Sequence, residues 1–125
     1  SYYEIFKEKN INPNIQICSE KIYKNLNKNS LIRILENIFS NAFKYSNGDF
    51  KVELKKDGTI TFSNKSNILD STTVSKIFNR YFSVENAKES VGIGLAIVKQ
   101  LVELNNGKIY ANYINETFSI NITFD

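Results

Sequence analysis

Near the end of the chain Phe118, Ile120, Ile122 and Phe124 alternate strictly with Thr117, Ser119, Asn121 and Thr123. Successive side chains of a strand point to opposite faces, so this run describes a sheet that is apolar on one side and wet on the other. Such a sheet takes helices on one face only, which restricts the fold to an α/β two-layer sandwich with a mostly antiparallel sheet. The remaining periodicities fit that plan. Phe50, Val52 and Leu54 alternate with Lys51, Glu53 and Lys55, and Asp57-Gly58 turns the chain into a second strand with Ile60 and Phe62 inward. Residues 15–18 read as a further strand, and Ile109 and Ala111 lead into the closing pair. Residues 63–71 read as irregular and polar.

The helical signals lie between these strands. Residues 2–9 form a short amphipathic pattern with Tyr2, Ile5 and Phe6 on one side, ended by the run containing Pro13. Residues 31–46, LIRILENIFSNAFKYS, place Leu31, Ile34, Leu35, Ile38 and Ala42 on one stripe, with Asn29 or Ser30 positioned as the cap. After Asp70, Ser71 or Thr72 comes a short helix in which Val74, Ile77, Phe78 and Tyr81 share a face. Residues 83–90 have no apolar period and read as a mobile loop. Gly92 and Gly94 then open a second long helix, with Leu95, Val98, Leu101 and Val102 as its stripe and Asn105-Asn106-Gly107 as its stop.

Composition narrows the function. A chain of 125 residues is expected to be one domain, residues 1–125, with a core large enough to need no staples. The net charge of +3 is spread through the sequence without a basic stripe, which argues against nucleic acid as partner. No apolar run approaches the roughly 20 residues a bilayer-spanning helix needs. Cys18 is alone, so an internal disulfide is excluded, and a half-buried small hydrophobe is the expected role. There is no histidine, hence no imidazole to act as base, metal ligand or phosphate acceptor.

One helix face carries chemistry. Asn37, Asn41 and Lys44 are separated by four and three residues, which stacks two amides and an ammonium on one side of the helix beside the apolar stripe. Asparagine competes with the backbone for hydrogen bonds, so two in mid-helix need a reason. A ligand is one reason; a solvated face in an Asn-rich chain is the other. Gly92-Ile93-Gly94 at a helix start offers bare N–H groups suited to phosphate, although a Gly-x-Gly pair alone is more often a plain turn.

Three stretches taken together, NIFSNAFKYS at residues 37–46, FNRYF at 78–82 and GIGL at 92–95, resemble the N box, F box and second glycine box of sensor histidine kinase catalytic domains. Those domains belong to a wider ATPase superfamily that includes type II topoisomerases and a mismatch-repair ATPase. The resemblance implies a histidine kinase-like ATPase fold, ATP and Mg²⁺ as ligands, and Asn37 and Asn41 as metal ligands. Neutral amide oxygens suit an ion that shares its shell with phosphates already carrying negative charge. Lys44 then meets a phosphate, Tyr45 borders the purine, and Gly92, Ile93, Gly94 and Leu95 face the phosphates from the second helix. Arg80 near the lid hinge is either a group approaching the terminal phosphate, catalytic with Asn37 and Asn41, or a solvated helix-end arginine. Lys88 is a phosphate contact or a solvated loop lysine. Phe78 and Phe82 read as core aromatics that anchor the lid.

The family's first glycine box normally supplies an aspartate that accepts from the adenine amino group, followed by glycines. Here the corresponding place reads Asn64-Lys65-Ser66-Asn67. Asn64 retains an acceptor but a neutral one, so the bond should be weaker and ATP affinity poorer than about 0.1 mM, or about −5.5 kcal/mol. The resemblance further implies partners outside the chain: a helical dimerisation domain bearing the phosphoacceptor histidine, a homodimer in the full-length protein, and a response regulator. It places the domain in the cytoplasm of a bacterium, on a membrane-anchored sensor, with the fragment itself monomeric. Two rivals share the fold: a degenerate nucleotide-binding regulatory module, and an anti-sigma-factor serine kinase. A third reading is an unrelated α/β domain with an Asn-rich surface.

Overall fold

The computed structural model describes residues 13–45, 49–66, 71–79 and 92–125. Five strands, β1 (Asn14–Ile17), β2 (Lys51–Leu54), β3 (Ile60–Lys65), β4 (Gly107–Ile114) and β5 (Thr117–Phe124), form one sheet in the order β1-β2-β3-β5-β4. Its neighbours pair antiparallel except β1 with β2, which run parallel and therefore need a crossover. That crossover carries α1 (Lys28–Tyr45); α2 (Ser71–Ser75) and α3 (Gly92–Leu104) lie between β3 and β4 in sequence. The expected α/β two-layer sandwich is present. The helix of residues 2–9 lies outside the described residues, as do Tyr81, Phe82 and the loop of residues 83–90.

β5 sits between β3 and β4, so its apolar row is central. Phe118, Ile120, Ile122 and Phe124 are all buried and meet Ile34, Ile38 and Ala42 of α1 and Leu95, Val98 and Val102 of α3 in one core. Phe39 adds an edge-on contact to Phe50, with ring centroids 5.7 Å apart. On the opposite face Thr61 Oγ1 donates to Asn121 Oδ1 at 2.8 Å across the β3–β5 register. Asn121 is itself buried, so the middle of the polar face is drier than the alternation implies. Its cross-strand neighbours Thr61 and Tyr110 cover it from both sides.

Two boundaries differ from the sequence reading. The cap of α1 is Asn27, whose Oδ1 accepts from the Ser30 N–H at 3.0 Å, while Asn29 and Ser30 lie inside the helix. Asn27 wins because its own N–H is also held, donating to Asn105 Oδ1 at 2.8 Å. Residues 63–65, read as irregular, continue β3 by pairing with Ser119, Phe118 and Thr117. The partner strand supplies a ladder long enough to override the weak strand preference of Ser, Asn and Lys. The Asp57-Gly58 turn is as expected: Gly58 has φ +89° and Thr59 N–H donates to Asp57 Oδ1 at 2.9 Å. That backbone hydrogen bond holds the exposed Asp57 carboxyl below its ordinary pKa.

The stop after α3 has a steric reason. Asn106 takes a left-handed conformation with φ +60°, and Gly107 begins β4 where a Cβ would stand 2.8 Å from Phe124 Cδ1 and 2.9 Å from the Thr123 carbonyl oxygen. A backbone oxygen has little room to retreat. Gly107→Ala is therefore expected to destabilise the domain by about 1–3 kcal/mol, the usual cost of overpacking. Urea denaturation checks it, with a lowered midpoint at unchanged slope as the expected result.

Candidate functional site

Three of the expected site residues come together from three separate elements. Asn41 of α1, Asn64 of β3 and Leu95 of α3 line one cavity with Ile77, Phe118 and Ile120, and with Ile38, Ala42, Phe50 and Phe62. Asn41 is placed by its helical phase, one position from the buried Ala42. Asn64 shares the inward row of β3 with Phe62, because side chains two apart on a strand face the same way. The pairing of Asn64 with Phe118 holds it there. Only 8% of Asn64 is exposed, and Nδ2 donates to the Lys65 carbonyl at 3.2 Å.

The wall is chemically simple. Of the ten described residues that line it, eight are apolar and two are amides, and none is charged. The space is about 20 Å³, room for roughly one water. A space of that size holds no larger ligand as it stands, and Ile77 and Leu95 form part of its wall.

Asn37 does not line this cavity, although it lies one turn before Asn41 on the same side of α1. Its Nδ2 is buried without a hydrogen-bond partner among the described residues. An amide's nitrogen and oxygen exchange places by a half-turn of the terminal group, so this position can also present a bare oxygen to a cation. The orphaned atom therefore fits a metal-ligand role. α3 begins at Gly92 with no acidic residue in its first turn, so nothing there offsets the positive end of the helix dipole. Lys44 and Tyr45 belong to the last turn of α1, but their side chains lie outside the described residues, as does the Ile93 side chain. Arg80 and Lys88 also lie outside them. Phe78 is half-buried against the core, as expected of an anchoring aromatic.

Sequence reasoning missed two features. Ile77, Phe118 and Ile120 were legible as core but not as cavity wall, because periodicity reports burial without saying what a side chain is buried against. Ser66 was legible only as a missing glycine. It is fully buried, its N–H donates to the Glu116 carbonyl at 2.9 Å, and its own carbonyl accepts from Tyr113 Oη at 2.6 Å. These two bonds clamp the end of β3 to the β4–β5 turn, while Ser66 Oγ has no partner among the described residues.

The model of the histidine kinase-, DNA gyrase B-, and HSP90-like ATPase family matches residues 26–124. Sensor protein kinase WalK of Staphylococcus haemolyticus is 33% identical over 110 residues, covering 79% of this chain and 18% of the relative. WalK of Staphylococcus aureus is 32% identical over 109 residues, covering 78% and 26%. The chain thus spans only a minor part of these curated relatives. Among solved structures, Acinetobacter baumannii histidine kinase AdeS superposes with a TM-score of 0.79 at 14% identity, over 99% of this chain and 58% of that one. The catalytic domain of histidine kinase ThkA gives 0.77 at 21%, over 97% and 85%. Full-length ShkA in complex with AMPPNP gives 0.74 at 22%, over 97% and 27%. Identities this low speak for the fold alone, and the fold is the same.

The orphaned amide makes a prediction of its own. Replacing a buried, unpaired donor by an apolar group of similar shape removes a desolvation penalty of about 1–3 kcal/mol. Asn37→Leu is expected to leave the ligand-free domain as stable as the parent or more so, measured by thermal unfolding, whereas a purely structural Asn37 would make the variant less stable.

Proposed function

The chain belongs to the histidine kinase-, DNA gyrase B-, and HSP90-like ATPase family, and from that premise we propose that it is the ATP-binding catalytic domain of a sensor histidine kinase. In this reading Asn41 and Asn37 would offer neutral oxygens to Mg²⁺, whose chemistry when bound would be to offset the negative charge of the triphosphate. Asn64 meets the base, and Ile77, Leu95, Phe118 and Ile120 enclose it. The first turn of α3 at Gly92, Ile93 and Gly94 turns N–H groups toward phosphate, and Lys44 and Arg80 add positive charge. Phosphoryl transfer of this kind is positioning plus charge neutralisation, so the domain needs no nucleophile of its own.

The acceptor has to come from elsewhere, since this chain contains no histidine. We assign it to a histidine on a separate helical dimerisation domain, with a response-regulator aspartate as the next acceptor. A membrane-anchored bacterial sensor, with this domain in the cytoplasm, completes the proposal. Among the described residues no helix is long and apolar enough to cross a membrane. The observation that carries the reading is the convergence of Asn41, Asn64 and Leu95 on one cavity. The family match removes the reading of an unrelated α/β domain. One observation favours a second reading, a nucleotide-binding module without transfer: among the described residues the wall where the base would sit has no charged acceptor.

Titration of the chain with ATP and Mg²⁺, followed by amide chemical shifts, should give a Kd weaker than about 0.1 mM, because a neutral acceptor replaces a charged one. Sub-micromolar binding would contradict that. In the longer protein carrying the acceptor domain, Asn41→Ala should abolish autophosphorylation. Unchanged transfer would remove Asn41 from the metal site, and binding without any transfer in the parent would favour the second reading.

A further inference from the structure

If the base rests where the proposed function puts it, the cavity wall determines which purine is accepted. Among the described residues its only hydrogen-bonding side chains are Asn41 and Asn64, and Asn41 is committed to the phosphate end in that reading. Base reading therefore falls to Asn64, a buried amide on the inward row of β3. A carboxylate at this place offers acceptors only. It favours the amino group at position 6 of adenine and repels the carbonyl oxygen at position 6 of guanine or hypoxanthine. An amide offers both an N–H and a C=O, and a half-turn about its terminal bond exchanges them.

One contact opposes that half-turn. Asn64 Nδ2 donates to the Lys65 carbonyl at 3.2 Å, a long bond to a neighbouring residue. In that orientation the carbonyl oxygen is left for the ligand, which suits a 6-amino purine. Turning the amide forfeits one long neutral hydrogen bond and obliges Oδ1 to swing off the Lys65 carbonyl oxygen, which together translate into a preference on the order of tenfold. Among the described residues no charge elsewhere in the wall adds to the discrimination.

We infer that Asn64 relaxes base selection in this chain, so that 6-oxo purine nucleoside triphosphates enter the same site as ATP with affinities within about tenfold. Inosine triphosphate is the cleanest probe, because it differs from adenine at position 6 and N1 without the extra amino group of guanine. The experiment compares Mg²⁺ complexes of ATP, inosine triphosphate and GTP by amide chemical-shift titration of the parent chain and of Asn64→Asp. The expected parent result is an ATP to inosine triphosphate ratio of about tenfold or less. In Asn64→Asp the ratio should widen to about a hundredfold or more, through tighter ATP and weaker inosine triphosphate binding.

A parent chain that binds ATP and rejects inosine triphosphate by a hundredfold overturns the inference and leaves the ATP site standing. A parent that binds none of the three overturns the site itself. GTP separates position 6 from position 2: binding of inosine triphosphate without GTP upholds the role of Asn64 and assigns the exclusion of GTP to its amino group. If Asn64→Asp does not fold, the parent ratio decides the matter alone, and Asn64→Ala should then lower ATP affinity more than inosine triphosphate affinity. Equal loss for both would assign Asn64 to shape alone and overturn the inference.

Discussion

The structure depends on the apolar face shared by β3 and β5, against which α1 and α3 pack. Phe62 on β3 and Phe118, Ile120, Ile122 and Phe124 on β5 are buried by Ile34, Ile38, Leu95, Val98 and Val102. The site is not grafted onto this core; it is part of it. All eight apolar residues of the cavity wall are also core residues. In the proposed function a ligand that enters would replace contacts the core makes with itself, so part of its binding energy would be spent on parting them. Occupancy and stability are linked for the same reason, since anything that binds only the folded state stabilises it.

The two long helices are also fixed by a polar tie. Asn105 Oδ1 accepts from the Asn27 N–H at 2.8 Å, and Asn105 Nδ2 donates to the Leu101 carbonyl at 2.8 Å. One side chain thus closes the C-terminal end of α3 and holds the residue that caps α1. The tie joins the start of α1 to the end of α3, the helices that carry Asn41 and Leu95. It is remote from the site and acts on it only through helix placement.

Much of this was legible in the sequence, for identifiable reasons. The alternation of Phe118 to Phe124 gave the sheet its covered face, and the stripes of residues 31–46 and 92–104 gave the helices that cover it. Asn27 was missed as a cap because its advantage comes from Asn105, 78 residues away, and local pattern carries no such information. The strand character of Asn64 and Lys65 was missed because it is imposed by pairing with Phe118 and Thr117. Candidate site residues came from a combination of motifs rather than from any one. Asn41, Asn64 and Leu95 line one cavity, whereas the Asn37 amide nitrogen is buried outside that cavity's wall.

An amide in place of a carboxylate at Asn64 changes what the base contact can do. In an apolar wall with 8% exposure, a carboxylate would carry a desolvation cost of several kcal/mol unless a ligand or another donor met it. An amide avoids that cost in the empty domain and gives a weaker bond in the occupied one. In the proposed function the base lies at the far end of the nucleotide from the phosphoryl group that moves, so this contact is the same in ground and transition states. Weakening such a contact raises the concentration of nucleotide needed without slowing the chemical step. In that same reading the groups whose loss would slow it are those at the phosphate end, the Asn41 and Asn37 amides, whose neutrality suits a site where the substrate would bring negative charge and a metal positive.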